Sequence, residues 1–345
     1  MGLYALLGIA FVLLGGAMEG AFAYPLKHTP KWNWENTWGL GSLLALLIIP
    51  WPVAILTAPH LIGIYSATSW KSLLVSFAFG CGWGFGAIFL GLGVSMLGLS
   101  LGISLISAIN AVAGSIAPLG MQHPDQFARP AGLVLAMGVA VMVVGIGLCG
   151  WAGKAKEMSS PAPSPGDGQT GGSHFKLGIL LCVLSAILSA LVNFALIFGV
   201  EIRHVALRLG SGPIGATNAL WVPAFTGNYL VNIIYCVYLV YRRRSFKNFF
   251  QQGVGAHWLW AAFMGVTWAG GIVVYGIGVA YLGKLGAFLG FPIMLISSIL
   301  AANALGAASG EWRGATPKAK RLMTIGVSVL ILAVCFLAYS NQLIP

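Results

Sequence analysis

The 345-residue chain carries seven acidic side chains, and one of them, Glu19, stands inside an otherwise apolar run. It lies about 9 Å from the middle of a helix built on that run, counting roughly six residues at ~1.5 Å rise. A carboxylate at membrane depth costs at least ~2.5 kcal/mol and usually faces a cavity. There it can take up and release a proton; otherwise it is held protonated between helices or snorkels to the nearer surface. Gly15, Gly16 and Gly20 leave room for a helix or a ligand to come close. Glu19 is therefore the candidate proton-coupling group, and His257, which opens a later apolar run, is the secondary one.

A second constellation is Asn218, Trp221, Phe225, Asn228 and Asn232. At 100° per residue these fall within roughly 80° of arc on one helix. Aromatic rings cover the apolar faces of a sugar and amides bond its hydroxyls, so the stripe is a candidate sugar-binding surface. Interhelical amide contacts are the structural alternative. Trp83 and Trp268 are further candidates as stacking walls, and Asn110 and Asn193 as polar contacts; the last two stand in rows of small or polar residues, Ser107, Asn110, Gly114 and Ser185, Ser189, Asn193. Glu35 and Glu311 flank apolar runs, where they cap helices, pair with Lys31 or Arg313, or gate one side. The six histidines show no metal-ligand spacing, and no phosphate-binding loop is present, so neither a metal nor another cofactor is expected beyond a coupling proton. The five cysteines, all in apolar runs, read as small buried hydrophobes.

The elements that must position these groups follow from composition. Soluble domains are about 25% charged; this chain is 7% charged, 58% hydrophobic, with mean hydropathy +0.90. It is expected to be an all-α polytopic membrane protein, dissolved in the lipid bilayer, and its +11 net charge points to headgroups rather than nucleic acid. A span needs about 20 apolar residues. Ten such stretches occur, near 2–24, 38–58, 72–93, 97–119, 130–150, 176–198, 215–240, 256–281, 285–308 and 321–340. Ala21-Phe22-Ala23 resembles a signal-peptidase site, but no positive charge precedes the run and Glu19 interrupts it, so a retained span is expected. Pro50-Trp51-Pro52, Pro118, Pro223 and Pro292 should kink or end helices.

The Pro/Gly/Ser-rich stretch within 151–175 divides the chain into five-helix units, 1–150 and 176–345. Gly80, Trp83, Gly86, Gly91, Gly93, Val94, Leu97 and Gly98 recur 185 positions later as Gly265, Trp268, Gly271, Gly276, Gly278, Val279, Leu282 and Gly283. A weaker echo relates Leu7-Gly8-Ile9 to Leu177-Gly178-Ile179. With an odd number of spans each, two copies would enter the membrane in opposite senses, an inverted repeat of the kind transporters use to open one site to either side. Thirteen cations fall on one side: Lys27, Lys31, Lys154, Lys156, Lys176, Arg242, Arg243, Arg244, Lys247, Arg313, Lys318, Lys320 and Arg321. Five fall on the other: Lys71, Arg129, Arg203, Arg208 and Lys284. The positive-inside rule puts the thirteen in the cytoplasm and both termini outside. Arg242-Arg243-Arg244 reads as a topology determinant in preference to a lipid site.

Ala23-Tyr24-Pro25-Leu26-Lys27, followed by Lys31-Trp32-Asn33-Trp34-Glu35 and Trp38, resembles the first cytoplasmic junction of the L-rhamnose/proton symporter family within the drug/metabolite transporter superfamily. Gly80-Cys81-Gly82-Trp83-Gly84-Phe85-Gly86, Trp268 with Tyr275 and Gly278, and Glu311-Trp312 extend the likeness along the whole chain. It departs at Glu19, where enterobacterial members have a small residue. The resemblance implies secondary active uptake of L-rhamnose or a related deoxyhexose by proton symport through two inverted halves, in a bacterial inner membrane, with no enzymatic activity. A metabolite or drug exporter of the same superfamily is the alternative. A membrane-embedded enzyme is disfavoured for want of clustered His, Asp or Glu.

Overall fold

The computed structural model describes residues 3–97, 99–122, 124–127, 129–157, 172–283, 286–310 and 312–343. Among these the chain is helical throughout. The first half runs α1 Leu3–Ala21, α2 Trp34–Leu43, α3 Pro50–Thr57, α4 Leu61–Ala67, α5 Trp70–Leu97, α6 Leu99–Gln122, α7 Pro124–Phe127 and α8 Pro130–Glu157. The second runs α9 Gly172–Ser189, α10 Leu191–Phe198, α11 Val200–Arg208, α12 Pro213–Arg243, α13 Gly255–Leu282, α14 Gly286–Ala308 and α15 Pro317–Gln342. Nine helical stretches among the described residues are long and apolar enough to cross a membrane; α6 contains a shorter apolar stretch, Leu105–Met121. The linker expected within 151–175 falls mostly outside the described residues.

Proline chemistry shapes the second stretch. Pro50 and Pro52 lack an N–H, and the turn before them, Leu44–Ile48, widens to a π-helix in which the Ile49 N–H reaches back to Leu44 O at 2.9 Å. Thus α2 and α3 continue each other instead of ending at the prolines. Pro223 and Pro292 lie inside α12 and α14. The short helices α4 and α11 have no counterpart among the ten expected stretches.

The outer faces are apolar, with Leu14, Ile55, Val144, Ile234 and Leu259 all more than half exposed, as a lipid-facing surface requires. Cys335, expected to be buried, is exposed on α15. One buried cluster spans the bundle interior from Val12 to Leu337. It is closed largely by glycine seams, at which helix backbones touch.

These seams come in equivalent pairs. Gly93 of α5 lies against Gly178 and Cys182 of α9, and Gly278 of α13 lies against Gly8 and Val12 of α1. The α5/α13 members are 185 positions apart, and the α1/α9 members 170 apart, the displacement that relates Leu7-Gly8-Ile9 to Leu177-Gly178-Ile179. The same two displacements relate Gly86 against Ser189 to Gly271 against Glu19. Where α8 meets α15, Gly145 touches Leu330 and Gly326 touches Cys149, so that seam maps onto itself.

Candidate functional site: a cavity beside Glu19

Three glycines of α1 bring it into backbone contact with two helices at once. A side chain at Gly15 would overlap α13 at Gly271 and Tyr275, and one at Gly16 or Gly20 would overlap α14 at Met294 or Ser298. This wedge directs Glu19 against Gly271, with its Oε1 buried and without a protein hydrogen-bond partner. Glu19 lines a cavity of about 580 Å³ between α1, α6, α8, α14 and α15. Phe22, Ser107, Ser298 and Asn303 also line it, together with Tyr24, Lys27, Lys156 and Trp312 from the basic side. The Lys156 ammonium sits 5.0 Å from the Trp312 ring centroid, a cation–π contact across that end. The lining is mainly apolar, with one carboxylate, hydroxyls and an amide: a small polar molecule can be held there beside a group able to carry a proton.

The expected sugar surface is placed differently. Trp221 stacks on Phe225 at 5.5 Å with an interplanar angle of 9°. The series continues from Phe225 to Trp83 at 5.9 Å, from Trp83 edge-on to Trp268 at 6.1 Å, and from Trp268 to Phe22 and Trp38, each at 5.3 Å. This aromatic layer crosses the bundle centre and reaches the cavity wall through Phe22. Asn232 Oδ1 accepts from Trp38 Nε1 at 2.7 Å, and its Nδ2 donates to Asn228 Oδ1 at 2.5 Å. Asn218 Nδ2 donates to Thr57 Oγ1 at 3.0 Å; Asn193 Nδ2 donates to Gly114 O at 2.5 Å, and Asn193 Oδ1 accepts from the Tyr275 hydroxyl at 2.7 Å. In this arrangement Asn193, Asn218 and Asn232 join helices, while the Asn232–Asn228 bond lies within α12. Trp221 Nε1, Asn228 Nδ2 and Asn110 Oδ1 are buried without a partner.

Among the described residues Glu19 is thus the one expected site residue on the cavity wall; Asn110 lies one turn beyond cavity-lining Ser107. Sequence reasoning missed Phe22, Ser298, Asn303 and Lys156 as lining residues. The spacing of Ser298, Ala302 and Gly306 at i, i+4 and i+8 on one face of α14 was the available signal.

A family profile described as L-rhamnose-proton symport protein (RhaT) matches residues 1–340. The chain belongs to this symport family. Its relatives include the L-rhamnose-proton symporters of Yersinia pestis (strain Pestoides F) and Yersinia pseudotuberculosis serotype O:3 (strain YPIII). Each is 28% identical over 338 residues, covering 95% of this chain and 96% of the relative. One solved crystal structure aligns over 96% of this chain and 97% of its own with TM-score 0.56 at 13% identity, a likeness of fold alone. A symport family is a class of transporters, so the chain is not placed among enzymes.

In this member of the rhamnose-symport family the remaining candidates hold helix ends together. Glu35, with its side chain fully buried, accepts from Arg243 Nη1 at 2.9 Å, Ser245 Oγ at 2.7 Å and Asn33 Nδ2 at 3.1 Å, fastening α2 to the end of α12. Its partner is Arg243, not the expected Lys31; Lys31 Nζ instead donates to Gln252 O at 2.8 Å. His257 Nε2 accepts the Lys31 backbone N–H at 3.4 Å, and its ring meets Trp32 edge-on. Fourteen residues separate His257 from Gly271, about 21 Å along α13 at ~1.5 Å per residue, so it does not exchange protons with Glu19 directly. Glu311 lies outside the described residues.

Proposed function

We propose that the chain imports L-rhamnose or a related deoxyhexose together with a proton, by alternating access between inverted halves 1–150 and 176–345. The observation that carries this reading is the family match across residues 1–340, with relatives of matching length named proton symporters. Glu19 is the proton site: its Oε1 abuts the α1/α13 seam and the residue lines the cavity, so its charge bears on both ligand and helix packing. Sugar enters beside Phe22, Ser107 and Asn303. As the halves move, the layer of Trp83, Trp221, Phe225 and Trp268 opens to it, with Asn110, Asn193, Asn218, Asn228 and Asn232 as hydroxyl partners.

In this reading the protein sits in a bacterial inner membrane with both termini outside and the cavity open to the cytoplasm, where the basic rim lies. Glu35 and His257 are fasteners of that end, and Glu311, beside Trp312, is a gate candidate. The test is uptake of radiolabelled L-rhamnose into proteoliposomes with and without an imposed proton gradient. Accumulation that rises with the gradient and collapses with a protonophore is expected. Uptake indifferent to the gradient overturns symport, and absence of uptake overturns the substrate.

A further inference from the structure

A second cavity, of about 540 Å³, lies apart from the first, between α2, α12, α13 and the 3-10 turn Ser245–Phe250. Its wall is nearly all hydrocarbon and aromatic, including Leu40, Val237, Phe246, Phe250 and Trp258, of which the last four are 40% or more exposed. The carboxylate on the wall, Glu35, is buried and already held by Arg243. Arg242, Arg244 and Lys247 are exposed, and they occupy the stretch between the wall residues Val240 and Phe250. Among the described residues Arg242 pairs with a neutral group, donating to the Tyr238 hydroxyl at 3.0 Å and lying 5.9 Å from its ring centroid. An apolar groove at the end of a membrane-spanning helix, with exposed cations in the segment that joins its wall residues, matches one partner in both its parts: an acyl chain for the groove and a phosphate headgroup for the cations.

We propose that this groove binds an anionic phospholipid of the surrounding bilayer, its acyl chain against Leu40, Val237 and Trp258 and its headgroup on Arg242, Arg244 and Lys247. This gives the Arg242-Arg243-Arg244 run a recognition role beyond orientation: Arg243 fastens the fold, while its neighbours face outward to the lipid. A Cβ at Gly39 would meet only Cys236, at ordinary contact distance, so the backbone there admits a side chain and Gly39→Leu is the variant that fills the groove.

The test is native mass spectrometry of the full-length protein released from micelles containing equal amounts of dioleoylphosphatidylglycerol and dioleoylphosphatidylcholine. The wild type is expected to retain phosphatidylglycerol in at least tenfold preference. Arg242→Gln/Arg244→Gln/Lys247→Gln should lose the preference while still retaining lipid, and Gly39→Leu should lower retention of both lipids. Equal retention of the two lipids by the wild type, or an undiminished preference in the triple variant, overturns the proposal. Thermal unfolding of each variant shows that any loss belongs to folded protein.

Discussion

Glu19 on α1 and Ser189 on α9 stand in the same relation to their partner helices, one against Gly271 and the other against Gly86. The seams around them match down to the glycine, yet Glu19 lines the 580 Å³ cavity and Ser189 does not. Backbone packing is thus repeated while chemistry is not. Glycine seams depend on the absence of side chains and tolerate nothing larger, so both copies keep them. The groups that face across a seam are free to differ, and in the proposed cycle the carboxylate at one copy is what sets the two halves apart.

The strongest way to break this comparison is to exchange its chemistry. Glu19→Gln is expected to abolish gradient-driven accumulation of L-rhamnose, down to equilibration, while leaving sugar exchange intact; Ser189→Ala should leave accumulation in place. Both are read by proteoliposome uptake and counterflow, and equal loss in the two variants would return Glu19 to a packing role. Next come the seams themselves. Gly278→Val and Gly93→Val should each destabilise by about 1–3 kcal/mol through overpacking against backbone. Denaturation in detergent measures this, and a large effect at one seam with none at the other would show that they are not equivalent.

Smaller effects are expected at the fasteners. Glu35→Gln leaves Arg243 half exposed and able to find water, so the loss is about 1–3 kcal/mol from weakened bonds to Ser245 and Asn33. Proton-driven uptake should persist, whereas a gate would lose its coupling. Smallest is Tyr275→Phe, which removes the bond to Asn193 across α13 and α10; interhelical bonds of this kind contribute about 0.6 kcal/mol, with a maximum near 1.7. A thermal shift in that range with normal uptake supports Asn193 as a joint, and loss of uptake at normal stability makes it a ligand contact.

Much of this was legible in the residue order. The recurrence from Gly80 to Gly265 and from Gly8 to Gly178 located the seams, because a glycine that a backbone must touch leaves a mark at one position. Glu19 was legible for a similar reason: a carboxylate in an apolar run has few places to go. The stripe from Asn218 to Asn232 was visible too, but helical periodicity says which residues share a face and nothing about what that face meets. In the folded chain it meets Trp38, Thr57 and Trp83, so Asn218 and Asn232 are engaged, while Asn228 keeps its Nδ2 unpartnered. Phe22, Ser298 and Asn303 escaped notice because each is ordinary in an apolar helix until four other helices leave space beside it.

The sequence by itself determined that the chain is a helical membrane protein with a recurring glycine pattern and an acidic group, Glu19, inside an apolar run, since apolarity, glycine spacing and charge are local properties. Only the tertiary structure decided where open space lies, that Glu35 takes Arg243 as its partner, and that the aromatic layer is packed shut while the region beside Glu19 is open. Cavities and pairings are set by which surfaces fail to meet and which side chains arrive together from distant segments, and neither is a property of any one helix.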